Sequence, residues 1–278
     1  MSLTGNIIPK KCICDNSNFN CCHVYRKRPV GETDFKIDKY YREIWKCSEC
    51  DHYLSTTDIS LEELYSGEYA SMTYGNFDDI RYNFDRIMNL DPKSSDNVGR
   101  VSNIKDFASK YFDQGNQIKI LDIGSGLGVF LAQIKLQTDW KCTAVEPDPQ
   151  MALHLSNDLK INTYNDDFRE LDLDDRFDVI TLNKVLEHIL DPIELLASCH
   201  KYLESKGVVY IEVPDGQCAA EDRLGYGREE FFLEHHHVFS HNSTREMVEK
   251  AGFELIDIER IKEPSTKYTI RAFIQKVI

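Results

Sequence analysis

The chain has 278 residues, is 41% hydrophobic with 14 Tyr and 14 Phe, and carries 47 acidic against 33 basic residues for a net charge of -14. That size suits one main core plus a small accessory module, and the apolar content excludes a disordered composition. The negative field disfavours nucleic acid as a partner, Tyr25-Arg26-Lys27-Arg28 being the best local basic patch, and no apolar run approaches the roughly 20 residues that span a bilayer.

The opening residues Met1 to Asn6 show no basic patch followed by a hydrophobic stretch, so no secretion signal is expected. Six of the nine cysteines (Cys12, Cys14, Cys21, Cys22, Cys47 and Cys50) fall in the first fifth of the chain. Clustering of this kind favours a metal site in a reducing cytoplasm over a disulfide scaffold. Cys47-Ser48-Glu49-Cys50 has the spacing of a metal knuckle, in which two thiolates bracket a tight turn and share one tetrahedral zinc. The other half is Cys12-Ile13-Cys14, one residue shorter than a second Cys-x-x-Cys. The favoured ligands are therefore Cys12, Cys14, Cys47 and Cys50, with Cys21, Cys22, His23 and His52 as nearby alternatives and a set of reduced core cysteines as the plain reading. A cysteine-only set leaves no open coordination position, so Zn2+ there is expected to be structural. This module spans 1–57.

A helical connecting or lid segment is expected over 58–112, with Leu61, Leu64 and Tyr65 on one face and Ile80, Phe84, Ile87 and Met88 on another. Asp91 to Asp96 is a break. From 113 to 278 strands alternate with helices, which means a parallel sheet with crossovers. Ile118–Asp122, Cys142–Glu146, Phe177–Leu182 and Val208–Val213 read as strands. Val129 to Gln137 reads as a helix. Asp191 and Pro192 open another, with Ile193, Leu196, Cys199 and Leu203 as its stripe and Gly207 as its stop. A helix from Ser243 to Ala251, closed by Gly252, leads into Phe253–Ile258. Only a short polar turn then precedes Tyr268–Val277, so the last two strands should form an antiparallel hairpin.

Asp122-Ile123-Gly124-Ser125-Gly126-Leu127-Gly128 follows a strand and opens a helix, where glycine lets the backbone come close to a ligand. Glu146 ends the next strand, where an acid can accept hydrogen bonds from both hydroxyls of a ribose. A dinucleotide fingerprint would put its third glycine at Val129, whereas here it falls at Gly128 behind an acid. That arrangement suits S-adenosylmethionine, which carries an ammonium group and no phosphate.

From about residue 115 onward the chain resembles the class I S-adenosylmethionine-dependent methyltransferases. The resemblance implies a Rossmann-like three-layer α/β/α sandwich with seven strands, the last antiparallel, and S-adenosylhomocysteine as product. It implies that Asp122 with Gly124, Ser125, Gly126 and Gly128 holds the methionine and ribose part, that Glu146 clamps the ribose with Pro147 beside the adenine, and that Asp167 and Phe168 meet the adenine edge. Asn183 would lie beside the transferring methyl, and Val185 to Pro192 matches the family's "LEH…DP" stretch. The cysteine module ahead of such a domain resembles a bacterial subgroup acting on sugars. That subgroup shows an "EHxHxFS" stretch like Glu234-His235-His236-His237-Val238-Phe239-Ser240, within an expected substrate-covering insertion over 215–242. A histidine can take a proton from a substrate hydroxyl near neutral pH. His235 and His237 are thus the candidate bases, with His188 beside them; packing or helix capping is the alternative for all three. The implied acceptor is a small molecule, a sugar or nucleotide-sugar in surface-polysaccharide or secondary metabolism. A non-catalytic binding module or an NAD-dependent oxidoreductase on the same sheet are the other readings.

Overall fold

A computed structural model describes residues 8–37, 39–57, 77–113, 115 and 117–277. The expected face at Leu61, Leu64 and Tyr65 lies outside the described residues. Before the main sheet come strands β1 (Phe19–Tyr25), β2 (Arg42–Cys47) and β3 (Tyr53–Thr57) and helices α1 (Phe77–Met88) and α2 (Asp96–Tyr111). The alternating part contains β4 (Lys119–Ile123), α3 (Val129–Gln137), β5 (Lys141–Val145), α4 (Pro149–Leu153), β6 (Asn162–Tyr164), β7 (Phe177–Asn183), α5 (Pro192–Ser198) and β8 (Leu203–Pro214). It closes with α6 (Gly216–Glu221), β9 (His237–Val238), α7 (His241–Lys250), β10 (Phe253–Lys262) and β11 (Tyr268–Lys276).

Seven strands form the main sheet in the order β10-β11-β8-β7-β4-β5-β6. β4 to β8 run parallel, while β11 lies antiparallel to both β8 and β10. The fold is thus the expected Rossmann-like sandwich with an antiparallel last strand. Each central strand is apolar on both faces because helices cover both. Ile120, Val179 and Val208 pack with Val101 and Ile104 of α2 and Leu131 of α3, whereas Leu121, Ile180 and Val209 face Leu196 of α5 and Met247 of α7. The chain order reverses at β4, between β5 and β7, so a ligand crevice is expected at the carboxyl end of β4.

Two local expectations change. The helix after Asp191 ends at Ser198, and Leu203 already begins β8. Gly207 is therefore no helix stop. It sits inside the strand, where a Cβ would stand 2.8 Å from the Leu203 side chain and 2.9 Å from the Phe177 carbonyl. The three-residue β6 is too short to show a period in sequence.

A second sheet, β1-β2-β3-β9, is antiparallel. Its first three strands come from the cysteine-rich module, but β9 comes from the insertion between β8 and α7, pairing Tyr53 with Val238 and Leu54 with His237. No helix among the described residues is long and apolar enough to cross a membrane.

Candidate active site

The turn after β4 is built for close backbone approach. Gly128 has φ +74°, and a Cβ there would lie 2.6 Å from Leu155 and 2.7 Å from Leu159, so this glycine seats α3 against the chain after α4. At Gly126, φ is +51° and nothing lies within 4 Å of where a Cβ would stand. Its backbone N–H donates to Glu146 Oε2 at 2.7 Å, while Asp148 N–H donates to Oε1 at 2.9 Å. Glu146 is buried, and that burial pushes its carboxyl up to about 7. Asp122, near the end of β4, is also buried. Its Oδ1 accepts from the Thr181 hydroxyl at 2.6 Å and from Asn183 Nδ2 at 2.8 Å, and desolvation raises it to about 6 against the pull of those bonds. Asn183 Oδ1 is buried and has no hydrogen-bond partner among the described residues.

A cavity of about 590 Å³ opens over this turn. Its lining includes Asp122, Gly124, Ser125, Gly126 and Asn183 together with His188 and His235. Gly128 does not line it, and neither do Glu146, Pro147, Asp167 and Phe168; Glu146 reaches it through the Gly126 N–H. Pro147 is exposed beside Asn165, whose Nδ2 donates to the Glu146 and Pro147 carbonyls at 2.9 and 3.0 Å. Asp167 is held by Arg169 at 2.6 Å. The Phe168 ring is buried against Tyr202, with ring centroids 5.3 Å apart, so only its backbone is available to a ligand.

Both cavity histidines have a defined tautomer. His188 Nδ1 lies 3.0 Å from the Glu234 carbonyl and His235 Nδ1 lies 2.9 Å from the Glu230 carbonyl. A carbonyl can only accept, so each Nδ1 carries the hydrogen and each Nε2 the lone pair. Burial lowers His188 to about 4 and His235 well below the ordinary histidine value, which keeps both neutral. The two rings meet edge to face at 4.8 Å.

His237 differs from expectation. Its Nδ1 lies 2.9 Å from His52 Nε2 and its Nε2 lies 3.2 Å from the Leu190 carbonyl. With both nitrogens engaged in the protein and the residue paired in β9, it does not line the cavity. Strand alternation alone would put residues 235 and 237 on the same face; they diverge because His237 lies in β9 whereas His235 precedes that strand in non-strand backbone.

Glu187, Arg100 and Lys184 are among the cavity residues to which the sequence reading assigns no role. Glu187, beside His188, is buried with Oε2 lacking a hydrogen-bond partner among the described residues, and burial lifts it to about 7. Its only signal was its place in the Leu-Glu-His run. Arg100 joins buried Glu212 at 2.5 Å across 112 residues of sequence, a separation no local pattern reveals. Lys184 takes φ +60° directly after β7 and donates to Thr269 Oγ1 at 2.8 Å.

In the module, one sulfur from each of Cys12, Cys14, Cys47 and Cys50 lies within 4.8 Å of the others, with Cys12–Cys50 at 3.4 Å and Cys14–Cys47 at 3.6 Å. A tetrahedral zinc at about 2.3 Å from each sulfur needs sulfurs about 3.8 Å apart, so this donor set fits one ion. His52 is absent from the cluster because it bonds His237 and Ser243.

A methyltransferase-domain family model matches residues 94–258. In sequence, the chain is 26% identical over 103 residues to the ubiquinone biosynthesis O-methyltransferase of Actinobacillus pleuropneumoniae serotype 5b (strain L20), which is 33% of this chain and 44% of that protein. The chain thus spans less than half of the curated relative it matches. In structure, it is similar to the 1,6-didemethyltoxoflavin-N1-methyltransferase of Burkholderia thailandensis, solved with 1,6-didemethyltoxoflavin and S-adenosylhomocysteine bound (TM-score 0.54, 21% identity, 85% of this chain and 96% of that one). It is also similar to an S-adenosylmethionine-dependent methyltransferase from Clostridium acetobutylicum ATCC 824 (TM-score 0.54, 13% identity, 72% and 98%). These likenesses are of fold. Taken with the family model's span of well over half the sequence and the glycine turn, buried acid and crevice at one sheet end, they lead to one conclusion: the chain belongs to the methyltransferase-domain family.

Proposed function

We propose that this protein transfers the methyl group of S-adenosylmethionine to a small acceptor, releasing S-adenosylhomocysteine. The observation that carries the reading is the 2.7 Å bond from the Gly126 N–H to Glu146, which ties the glycine turn lining the cavity of His188 and His235 to a buried acid behind it. The residues suit that cofactor. In this reading Glu146 accepts from ribose hydroxyls with Pro147 alongside, and Asp167 with the Phe168 backbone meets an adenine edge. Asp122 and the unpartnered Asn183 Oδ1 offer acceptors for an ammonium group. When bound, the cofactor supplies a methyl already activated by the sulfonium for in-line displacement.

The chain contributes alignment and proton removal. The acceptor hydroxyl or amine would lie between the cofactor crevice and His235, whose Nε2 takes the proton as the acceptor attacks; His188 packs against that ring and holds it. His237 holds β9 in place of its expected role as base. The carboxylates of Glu187 and Glu234 facing the cavity suit the many donors of a sugar, and a sugar or nucleotide-sugar is the acceptor class we favour. Zinc on Cys12, Cys14, Cys47 and Cys50 would be structural, and such thiolates belong in the reducing cytoplasm.

Calorimetric titration with S-adenosylmethionine, S-adenosylhomocysteine and NAD tests the cofactor assignment. Micromolar binding of both sulfur ligands and none of NAD is expected, followed by methyl transfer to a member of a sugar-nucleotide panel. A folded protein that binds neither sulfur ligand would end this reading.

A further inference from the structure

The amino-terminal module does more than sit beside the methyltransferase domain. Two of its buried side chains grip the insertion immediately before His235. Arg42 is fully buried; its Nη1 donates to the Phe231 carbonyl at 2.5 Å, its Nη2 meets Glu32 at 3.3 Å, and its guanidinium lies 4.2 Å from the centre of the Tyr25 ring. Glu32, buried as well, accepts from the Leu233 N–H at 2.7 Å and from the Tyr40 hydroxyl at 2.7 Å. The pair thus binds one carbonyl and one N–H of the Phe231 to Leu233 backbone, from opposite partners of a single ion pair.

That backbone is what orients His235. Glu230, one residue before the Arg42 grip, supplies the carbonyl that receives His235 Nδ1–H, and the His235 N–H donates to the Phe232 carbonyl at 3.0 Å. Beyond His235 the module takes hold again. Ser55 N–H donates to the His236 carbonyl at 3.0 Å, β9 pairs with β3, and His52 meets His237. His236 N–H in turn donates to the Glu187 carbonyl at 2.9 Å. The histidine is therefore held between two attachments to the module.

We propose that Glu32 and Arg42 are positioning residues for His235: the module fixes the Glu230 to Leu233 backbone and so sets the tautomer and aim of the histidine ring. The proposal rests on the reading of His235 as the proton acceptor, because only there does the tautomer matter to chemistry. A backbone loosened at Phe231 withdraws the Glu230 carbonyl from Nδ1, and the ring is then free to place its hydrogen on Nε2, the nitrogen that must be bare to receive a proton.

The test uses the full chain with ring-15N-labelled histidine, read by multiple-bond 1H–15N correlation in the presence of S-adenosylhomocysteine. The His235 signal is assigned by its loss in His235→Asn. Wild-type protein should show His235 as the Nδ1–H tautomer. Arg42→Met, and the double variant Glu32→Gln/Arg42→Met, which removes both buried charges together and so leaves none uncompensated, should show a mixture with Nε2–H. His154 and His200, remote from the grip, should not move. Turnover should fall about tenfold or more in the double variant with cofactor affinity unchanged, and that fall should vanish in a His235→Asn background, because residues acting through one group are not additive. An unchanged His235 tautomer in the folded double variant overturns the proposal. The base reading fails separately, if His235→Asn alone retains full turnover; the tautomer result does not depend on that outcome.

Discussion

With Glu146 as the proposed ribose acceptor, its buried carboxyl should make cofactor affinity a titration. In the free protein burial raises it to about 7, while two backbone N–H groups, from Gly126 and Asp148, favour its charged form without restoring an ordinary value. Ribose hydroxyls donate best to the ionised acid, so binding selects the deprotonated form. The sign follows: a carboxyl raised in the free protein and ionised in the complex releases a proton on binding, and affinity falls as pH falls through 7. Each pH unit below that point should weaken binding about tenfold, or about 1.4 kcal/mol, and above about pH 8 affinity should be flat. At pH 7 binding should release about half a proton, visible as a heat that depends on buffer ionisation. Below about 6 the buried Asp122 carboxyl adds its own slope. Glu146→Gln should weaken binding at pH 8 by roughly 10- to 150-fold, the range of a lost charged hydrogen bond, and abolish the slope between pH 6 and 7. Glu187→Gln should leave that slope intact, since Glu187 clusters with His188 and His235 and makes no hydrogen bond with Glu146. The assay is calorimetric titration with S-adenosylhomocysteine from pH 5.5 to 8.5. A wild-type affinity constant across that range, or the same slope in Glu146→Gln, would refute the reasoning.

Three further outcomes are expected. Gly128→Ala forces a Cβ into Leu155 and Leu159 at a positive φ; left-handed strain and overpacking together should cost roughly 2–4 kcal/mol, lowering the melting temperature by several degrees in a thermal scan. The purified chain should carry about one zinc, released by a strong chelator and measured with a colorimetric indicator; Cys47→Ser and Cys50→Ser should lose it, and wild-type protein with no bound metal in reducing buffer would remove the assignment. His235→Asn should lower turnover by roughly 10²- to 10⁴-fold, whereas His237→Asn, which breaks the contact with His52, should lower thermal stability far more than turnover; the reverse order would return His237 to the chemistry.

Much of the main sheet and its glycine turn was legible because the signals are local. A strand period, a glycine turn, and an acid one strand later lie within some 25 residues of each other, and backbone sterics leave few ways to join them. The terminal hairpin was equally readable, since the turn between β10 and β11 is too short for a crossover. The four cysteines declared themselves as one cluster by thiol chemistry and spacing, although the β1–β2 hairpin that brings the two pairs together did not. Errors came where tertiary pairing overrode local pattern: Gly207 lies in a strand because β8 pairs with β7, and Leu203 left its helical stripe for the same reason.

The sequence alone thus determined the order of the sheet's building blocks, the acidic glycine turn and the residue types available for proton transfer, all consequences of short-range geometry. Only the tertiary structure decided which of three consecutive histidines faces the cavity, because that choice depends on where the chain enters β9. It also decided that this strand completes the module's sheet, that Glu187 and Arg100 border the cavity, and that Glu32 and Arg42 hold the backbone ahead of His235. Those placements link residues up to some 200 positions apart, and partners that distant leave no trace in a period or a spacing.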